Sequence, residues 1–130
     1  MRRASRERDR ADRAHPSSVS TFAAACEARD VVALASILDP EVFVVVDGGG
    51  LGSITAPPAR GIADGLGLLL RMLASESGPL TEHPVNGAPG LVIRRDGVVV
   101  AVISLAVERD VVQRVWIVLN PDKLESWNRG

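Results

Sequence analysis

A chain of 130 residues with 46% apolar side chains and a net charge of −1 is long enough to enclose one core, and too apolar and too neutral for a disordered protein. No apolar run approaches the ~20 residues needed to cross a bilayer. Cys26 is the only cysteine, which excludes an internal disulfide and a multi-cysteine metal site and marks Cys26 as a small core residue.

Residues 1–16 read as a charged arm. Within 1–15, Arg2, Arg3, Arg6, Arg8, Arg10 and Arg13 stand against Glu7, Asp9 and Asp12. The interleaved acids and the lack of aromatics argue against specific nucleic-acid binding. Pairs at helical spacing there are worth only ~0.3–0.5 kcal/mol each. No apolar segment follows the charged start, so it lacks the form of a secretory signal, and a cytoplasmic location is expected.

The domain is expected over 17–130. Ser17, Ser18 and Ser20 offer caps to a first helix in which Val19, Phe22, Ala23 and Cys26 share one face. Asp30 caps a second helix through Val31, Leu34, Ala35 and Leu38, stopped by Asp39-Pro40. Val42 to Val46 is a β-branched and aromatic strand ended by Asp47 and Gly48-Gly49-Gly50. After Pro57-Pro58, Ile62, Leu66, Leu69, Leu70 and Leu73 form a helical stripe. Gly65 and Gly67 each cost that helix ~1 kcal/mol relative to alanine, and both are expected to permit close packing.

Leu80 to Val85 is a short strand, followed by the turn Asn86-Gly87-Ala88-Pro89-Gly90. Leu91 to Arg95 and Val98 to Val107 flank Asp96-Gly97, a preferred two-residue hairpin centre. A second hairpin at Arg109-Asp110 leads into Val111 to Leu119. Asn120-Pro121 opens a short terminal helix through Trp127. Two helices, a strand, a long helix and a four-strand meander make an α+β domain.

Unbroken ladders drawn out from the two turns put Val92, Ala101, Ile103, Arg114, Trp116 and Val118 on one face, and Leu91, Ile93, Val102, Ser104, Val115 and Ile117 on the other. The first set carries the polar-tipped groups a cavity uses, so it is assigned to the concave side. Two roles are open to Trp116, pocket wall or core filler, and Arg114 is equally placed to pair with an acid at the rim. The second set, as an exposed convex face, would need cover, and a two-fold homodimer through Leu91, Ile93, Val102, Val115 and Ile117 is expected.

The segments Phe43-Val44-Val45-Val46-Asp47-Gly48-Gly49-Gly50, Val85-Asn86-Gly87-Ala88-Pro89 and Trp116-Ile117-Val118-Leu119-Asn120-Pro121-Asp122-Lys123-Leu124, in this element order, resemble the SnoaL-like domains of the nuclear transport factor 2-like superfamily. They are most similar to the C-terminal domain of actinobacterial J-type extracytoplasmic-function sigma factors. The resemblance covers roughly 19–127 and departs at Asp110, where such domains carry a turn glycine; aspartate tolerates the left-handed conformation. It implies a cone of curved antiparallel-rich sheet with three main helices on its concave side and a short C-terminal helix. It also implies a homodimer. The promoter-binding domains of those sigma factors have no counterpart here, so a sigma factor by itself is not expected.

Placed in that cone, Phe22, Val45, Ile103, Trp116 and Val118 would form an apolar wall, with Asp47 and Arg114 as its polar groups, suited to a small hydrophobic ligand with a polar end. Asp47 aligns with the proton-shuttling aspartate of the ketosteroid isomerase branch and is also a plain turn cap before three glycines. The oxyanion donors of that branch are missing: its tyrosine maps onto Phe22, this chain has no tyrosine, and its second acid maps onto Val102 or Ile103. An epoxide-hydrolase site lacks a second inward acid beside Asp47 and Arg114. His83 is expected at the surface, and with His15 the only other histidine neither a metal nor a cofactor is expected. Gly48 to Gly50 lack the Lys-Ser/Thr of a phosphate loop.

Two functions follow. The first is a non-catalytic ligand-binding or regulatory interaction module, with a sigma factor or another transcription protein as partner. The alternative is a small SnoaL-like cyclase, isomerase or hydrolase acting on a hydrophobic metabolite.

Overall fold

The computed structural model describes residues 18–48, 57–76 and 78–129. The arm expected over 1–16 and the glycines at 49 and 50 lie outside the described residues.

Helix α1 runs over 18–28 and buries Val19, Phe22, Ala23 and Cys26 at the expected spacing. It closes on Arg29 in the left-handed region, φ 54°. There the N–H of Arg29 bonds the Cys26 carbonyl (3.1 Å) and the N–H of Asp30 bonds that of Ala25 (2.9 Å), the pattern that satisfies last-turn carbonyls when the next residue turns left. The Arg29 guanidinium also donates from Nη1 to the Cys26 carbonyl (2.8 Å) and from Nη2 to the Leu73 carbonyl (2.7 Å). One cation thus serves the C-terminal turns of two helices, where positive charge is favoured.

Helix α2 (Val31–Ile37) begins on Asp30, whose carboxylate accepts from the N–H of Ala33 (3.0 Å). It ends before the expected Asp39-Pro40 stop, because the chain becomes extended at Leu38 and enters β1 (Leu38–Asp47). Pro40 therefore lies inside a strand. The pairing of β1 with the strand Val111–Val118 is irregular between Leu38 and Phe43, which accommodates a residue that has no N–H to give.

Strand β2 (Ala59–Arg60) is too short for a sequence signal and pairs with Val44 and Phe43. Helix α3 (Ile62–Ser75) buries Leu66, Leu68, Leu69, Met72 and Leu73. A Cβ on Gly65 would stand 3.1 Å from Val44 Cγ2 and 3.2 Å from Val42 Cγ1, so this glycine lets the helix settle on β1. Gly67 faces open space, and the close packing expected there is not found.

Strands β3 (Leu80–Glu82), β4 (Gly90–Arg95), β5 (Val98–Glu108) and β6 (Val111–Val118) form the meander. The sheet order is β2-β1-β6-β5-β4-β3, with β1 and β6 parallel. Both hairpin turns have two left-handed residues, Asp96 and Gly97 (φ 54° and 81°) and Arg109 and Asp110 (φ 54° and 64°), so the aspartate does replace a turn glycine. Helix α4 (Pro121–Asn128) is capped by Asn120, whose side chain accepts from the N–H of Asp122 (3.1 Å). The result is the expected α+β cone of curved, unclosed sheet.

One sheet face packs under α1–α3 as the main core; α4 lies on the other face, where Leu124 joins Val92, Val99 and Val102. The residues on each face differ from those expected. Unbroken ladders would pair Ile93 with Val100 and Ile103 with Trp116. In the structure Ile93 faces Ala101 and Ile103 faces Ile117, because the register shifts between Ile93 and Arg94 and again between Ala106 and Val107. Each bulge moves the alternation by one residue, so the two together invert β5 between β4 and β6. Burial explains the choice: unbulged, the Ser104 hydroxyl would sit among Leu91, Ile93, Val115 and Ile117, an unfavourable place for a polar group.

Relative to the expected faces, β4 and β6 exchange sides while β5 keeps its own, with Ala101 and Ile103 in the core and Val102 on the outer face. Leu91, Ile93, Val115 and Ile117 have 0% exposure in the protomer's own core and are corrected from a dimer face to core. Val102, the fifth residue of that set, lies on the opposite face with Leu124 of α4 in its cluster.

Candidate functional site

The residues expected to line one cavity are divided between the two faces. Phe22 and Ile103 are fully buried in the core beneath the helices, together with Leu69 and Met72. Val45, Trp116, Val118 and Arg114 are on the outer face, because Val42 and Val44 of β1 point to the core and Val45 pairs with Trp116. Trp116 is 43% exposed, so it is neither a concave wall nor a core filler. Among the described residues the one buried polar side chain is Ser18, whose hydroxyl donates to Asp110 Oδ1 (3.2 Å). The Cys26 thiol of α1, buried in the main core, has its pKa pushed up to about 12, chiefly by burial, which leaves it a thiol at neutral pH.

Asp47 ends β1 on the outer face. Its carboxylate takes a hydrogen bond from Lys123 Nζ of α4, and its carbonyl accepts from the N–H of Leu119 (2.8 Å). The acid therefore joins two of the segments that carried the family resemblance. Two further contacts hold α4 down. The Asn128 amide bonds both backbone groups of Val99 (2.8 and 3.2 Å), satisfying strand groups, and the Trp127 ring meets His83 edge-on at 5.1 Å. His83 is exposed, as expected.

Among the described residues, the outer face beyond α4 is left open. One row across it is Val45, Trp116 and Ser104; the next is Phe43, Arg114 and Ala106. Beside them is a groove of about 480 Å³ lined by Asp39, Glu41, Phe43, Arg60, Ala106, Gln113 and Arg114. The Arg60 guanidinium lies 5.0 Å from the centroid of the Phe43 ring, a cation–π arrangement. Asp39 Oδ1 accepts from the N–H of Glu41 (2.7 Å). Sequence reasoning missed Phe43 and Arg60. Phe43 sits between the core residues Val42 and Val44, and that alternation was the available signal; Arg60 depends on β2, which had none.

A second cleft, of about 350 Å³, lies between Val19 and the stretch from Glu82 to Gly90. Glu82 there accepts from the Ser20 hydroxyl (2.7 Å). No group of metal-ligating side chains is found among the described residues, and no helix among them is long and apolar enough to cross a membrane.

No family model and no curated protein matches the sequence. Solved structures do. The extracytoplasmic function sigma factor SigJ of Mycobacterium tuberculosis matches with TM-score 0.69 and 27% identity over 94% of this chain and 48% of the sigma factor. This chain thus spans about half the length of that protein. A protein of Kribbella flavida described as a candidate ketosteroid isomerase matches with TM-score 0.54 and 17% identity, over 84% of this chain and 78% of its own. A Burkholderia xenovorans protein of nuclear transport factor 2-like fold matches with TM-score 0.61 and 13% identity, over 93% and 98%. The chain has the nuclear transport factor 2-like fold, and its structural neighbours are SnoaL-like and related proteins, SigJ among them.

Proposed function

We propose that this domain is a non-catalytic regulatory interaction module, of the kind its likeness to SigJ suggests, and that its working surface is the open outer face of the sheet. The observation that carries the reading is Trp116, 43% exposed in the middle of a described face that α4 leaves open. An exposed tryptophan among polar-tipped neighbours is the usual composition of a protein-binding surface. The homodimer expected from the sequence moves to this face, and a sigma factor or other transcription protein is the alternative occupant.

The side chains proposed for an enzyme support it poorly. Proton abstraction beside a carbonyl requires a base and oxyanion donors in one water-poor place. Asp47 is on the outer face beside Lys123, whereas Phe22 and Ile103, which stand where the donors would be, are across the sheet. A small hydrophobic ligand, if taken up, has the cleft between Val19 and Gly90 open to it.

Incubation with a β,γ-unsaturated 3-ketosteroid tests the reading. Isomerisation at the buffer rate is expected. A protein-dependent rate that disappears in Asp47→Asn would restore the enzyme alternative.

A further inference from the structure

Going beyond the interaction reading, and independent of which protein meets the outer face, we propose that the groove lined by Phe43 and Arg114 is a small-molecule site for an ω-amino acid, a short methylene chain with a carboxylate at one end and an ammonium at the other. Its volume of about 480 Å³ is that of a small-molecule site, and the sheet sorts its charges. Phe43 pairs with Arg60 of β2 on one side and with Arg114 of β6 on the other. Two guanidinium groups thus flank one aromatic residue, each from a strand about 4.8 Å away. Gln113 adds an amide to the same end. It is the extra residue of β6 between Val112 and Arg114, whose partners Val107 and Ala106 are adjacent in β5. A bulge re-aims a side chain, and Gln113 and Arg114 are both exposed and both line the groove.

The acids stand one step along β1. Glu41 is two residues from Phe43, about 6.6 Å along the strand, and Asp39 is tied to it by accepting its N–H (2.7 Å). Among the described residues no ion pair joins either acid to either arginine, and Arg60 lies over the Phe43 ring instead. A positive end and a negative end therefore share one groove without neutralising each other. This arrangement selects the ligand. A plain anion is attracted by the arginines and repelled by the acids, and a plain cation the reverse. An α-amino acid carries both charges too close together to cover the step from Phe43 to Glu41. The five methylenes of 6-aminohexanoate separate its charges by about 7 Å at ordinary bond lengths, which does cover it. Its apolar chain then lies on Phe43 and Ala106, the apolar side chains of the lining, with the carboxylate toward Arg60, Arg114 and Gln113 and the ammonium toward Glu41 and Asp39.

Proton–nitrogen NMR titration of the full chain in low-salt buffer tests this with 6-aminohexanoate, hexanoate, hexylamine and glycine. The first should give saturable shifts centred on the amides of Glu41, Arg60, Gln113 and Arg114. Each of the others lacks one charge or the spacing, and should bind about threefold to fivefold more weakly, the scale of one exposed ion pair. Two variants at exposed positions divide the site. Glu41→Gln should narrow the preference for 6-aminohexanoate over hexanoate, and Arg114→Gln its preference over hexylamine, both with unchanged far-ultraviolet circular dichroism. Equal affinity of the native protein for hexanoate and 6-aminohexanoate, shifts centred on the cleft between Val19 and Gly90, or a Kd for 6-aminohexanoate weaker than ~10 mM would overturn the proposal. None of these outcomes touches the interaction reading, which the ketosteroid assay tests by itself.

Discussion

Two glycines of this chain have opposite meanings. A Cβ on Gly90 would lie 2.4 Å from Val85 Cγ2, 2.8 Å from the Ile103 carbonyl oxygen and 2.9 Å from that of His83. Backbone oxygens in a paired sheet have little room to yield, so Gly90→Ala should cost about 1–3 kcal/mol, read as a lower urea midpoint. Gly67 is a helical residue with nothing in reach, and Gly67→Ala should stabilise by roughly 0.5–1 kcal/mol. Cys26 adds a pH dependence. Its thiol is raised from 9.0 to about 12 in the fold, so between those values the unfolded chain has released a proton that the native one keeps. Stability is full below pH ~9 and falls as pH rises toward 12. Urea melts on Cys26→Ala and the parent should differ in alkaline slope, the parent's being steeper.

At the scale of elements, α4 is held by few groups, and Asn128 is the most specific of them. Asn128→Ala strips both hydrogen bonds from Val99. It should cost about 1 kcal/mol and speed hydrogen exchange at the Val99 amide, while the Ala101 and Ile103 amides keep their protection. The elements themselves were legible: capping by Asp30 and Asn120, the stripe of α3 and the turns at Asp96-Gly97 and Arg109-Asp110 are all local chemistry. The site was less so. Whether Trp116 points at the core or at water depends on two bulges, and a bulge is a global compromise in which burial of distant residues outweighs a regular ladder. Ser104 carried the available hint, since a polar residue inside β5 asks for the same face as Arg114. Mutations at adjacent positions check the outcome. Ile117→Asp should abolish folding or cost more than about 4 kcal/mol, because it buries a charge in the main core. Trp116→Asp should stay within roughly 1 kcal/mol of the parent.

For the whole molecule, the account turns on which side of the sheet does the work. The core side is filled by the chain's own helices among the described residues, Phe22 and Ile103 included, while the other side offers Trp116, Phe43 and a groove of mixed charge. The likeness to a sigma factor over about half of that protein's length fits a module that acts by contact. The most direct test is the emission of Trp116 in a Trp127→Phe protein, where it is the one remaining tryptophan, followed from dilute to concentrated solution and then with added steroid-sized apolar molecules. The account predicts a solvent-exposed, red-shifted maximum at high dilution that moves to the blue as protein concentration rises and does not respond to the small molecules. A maximum already blue at high dilution, indifferent to protein concentration and shifted by the apolar ligands, would place Trp116 in an enclosed pocket and contradict it.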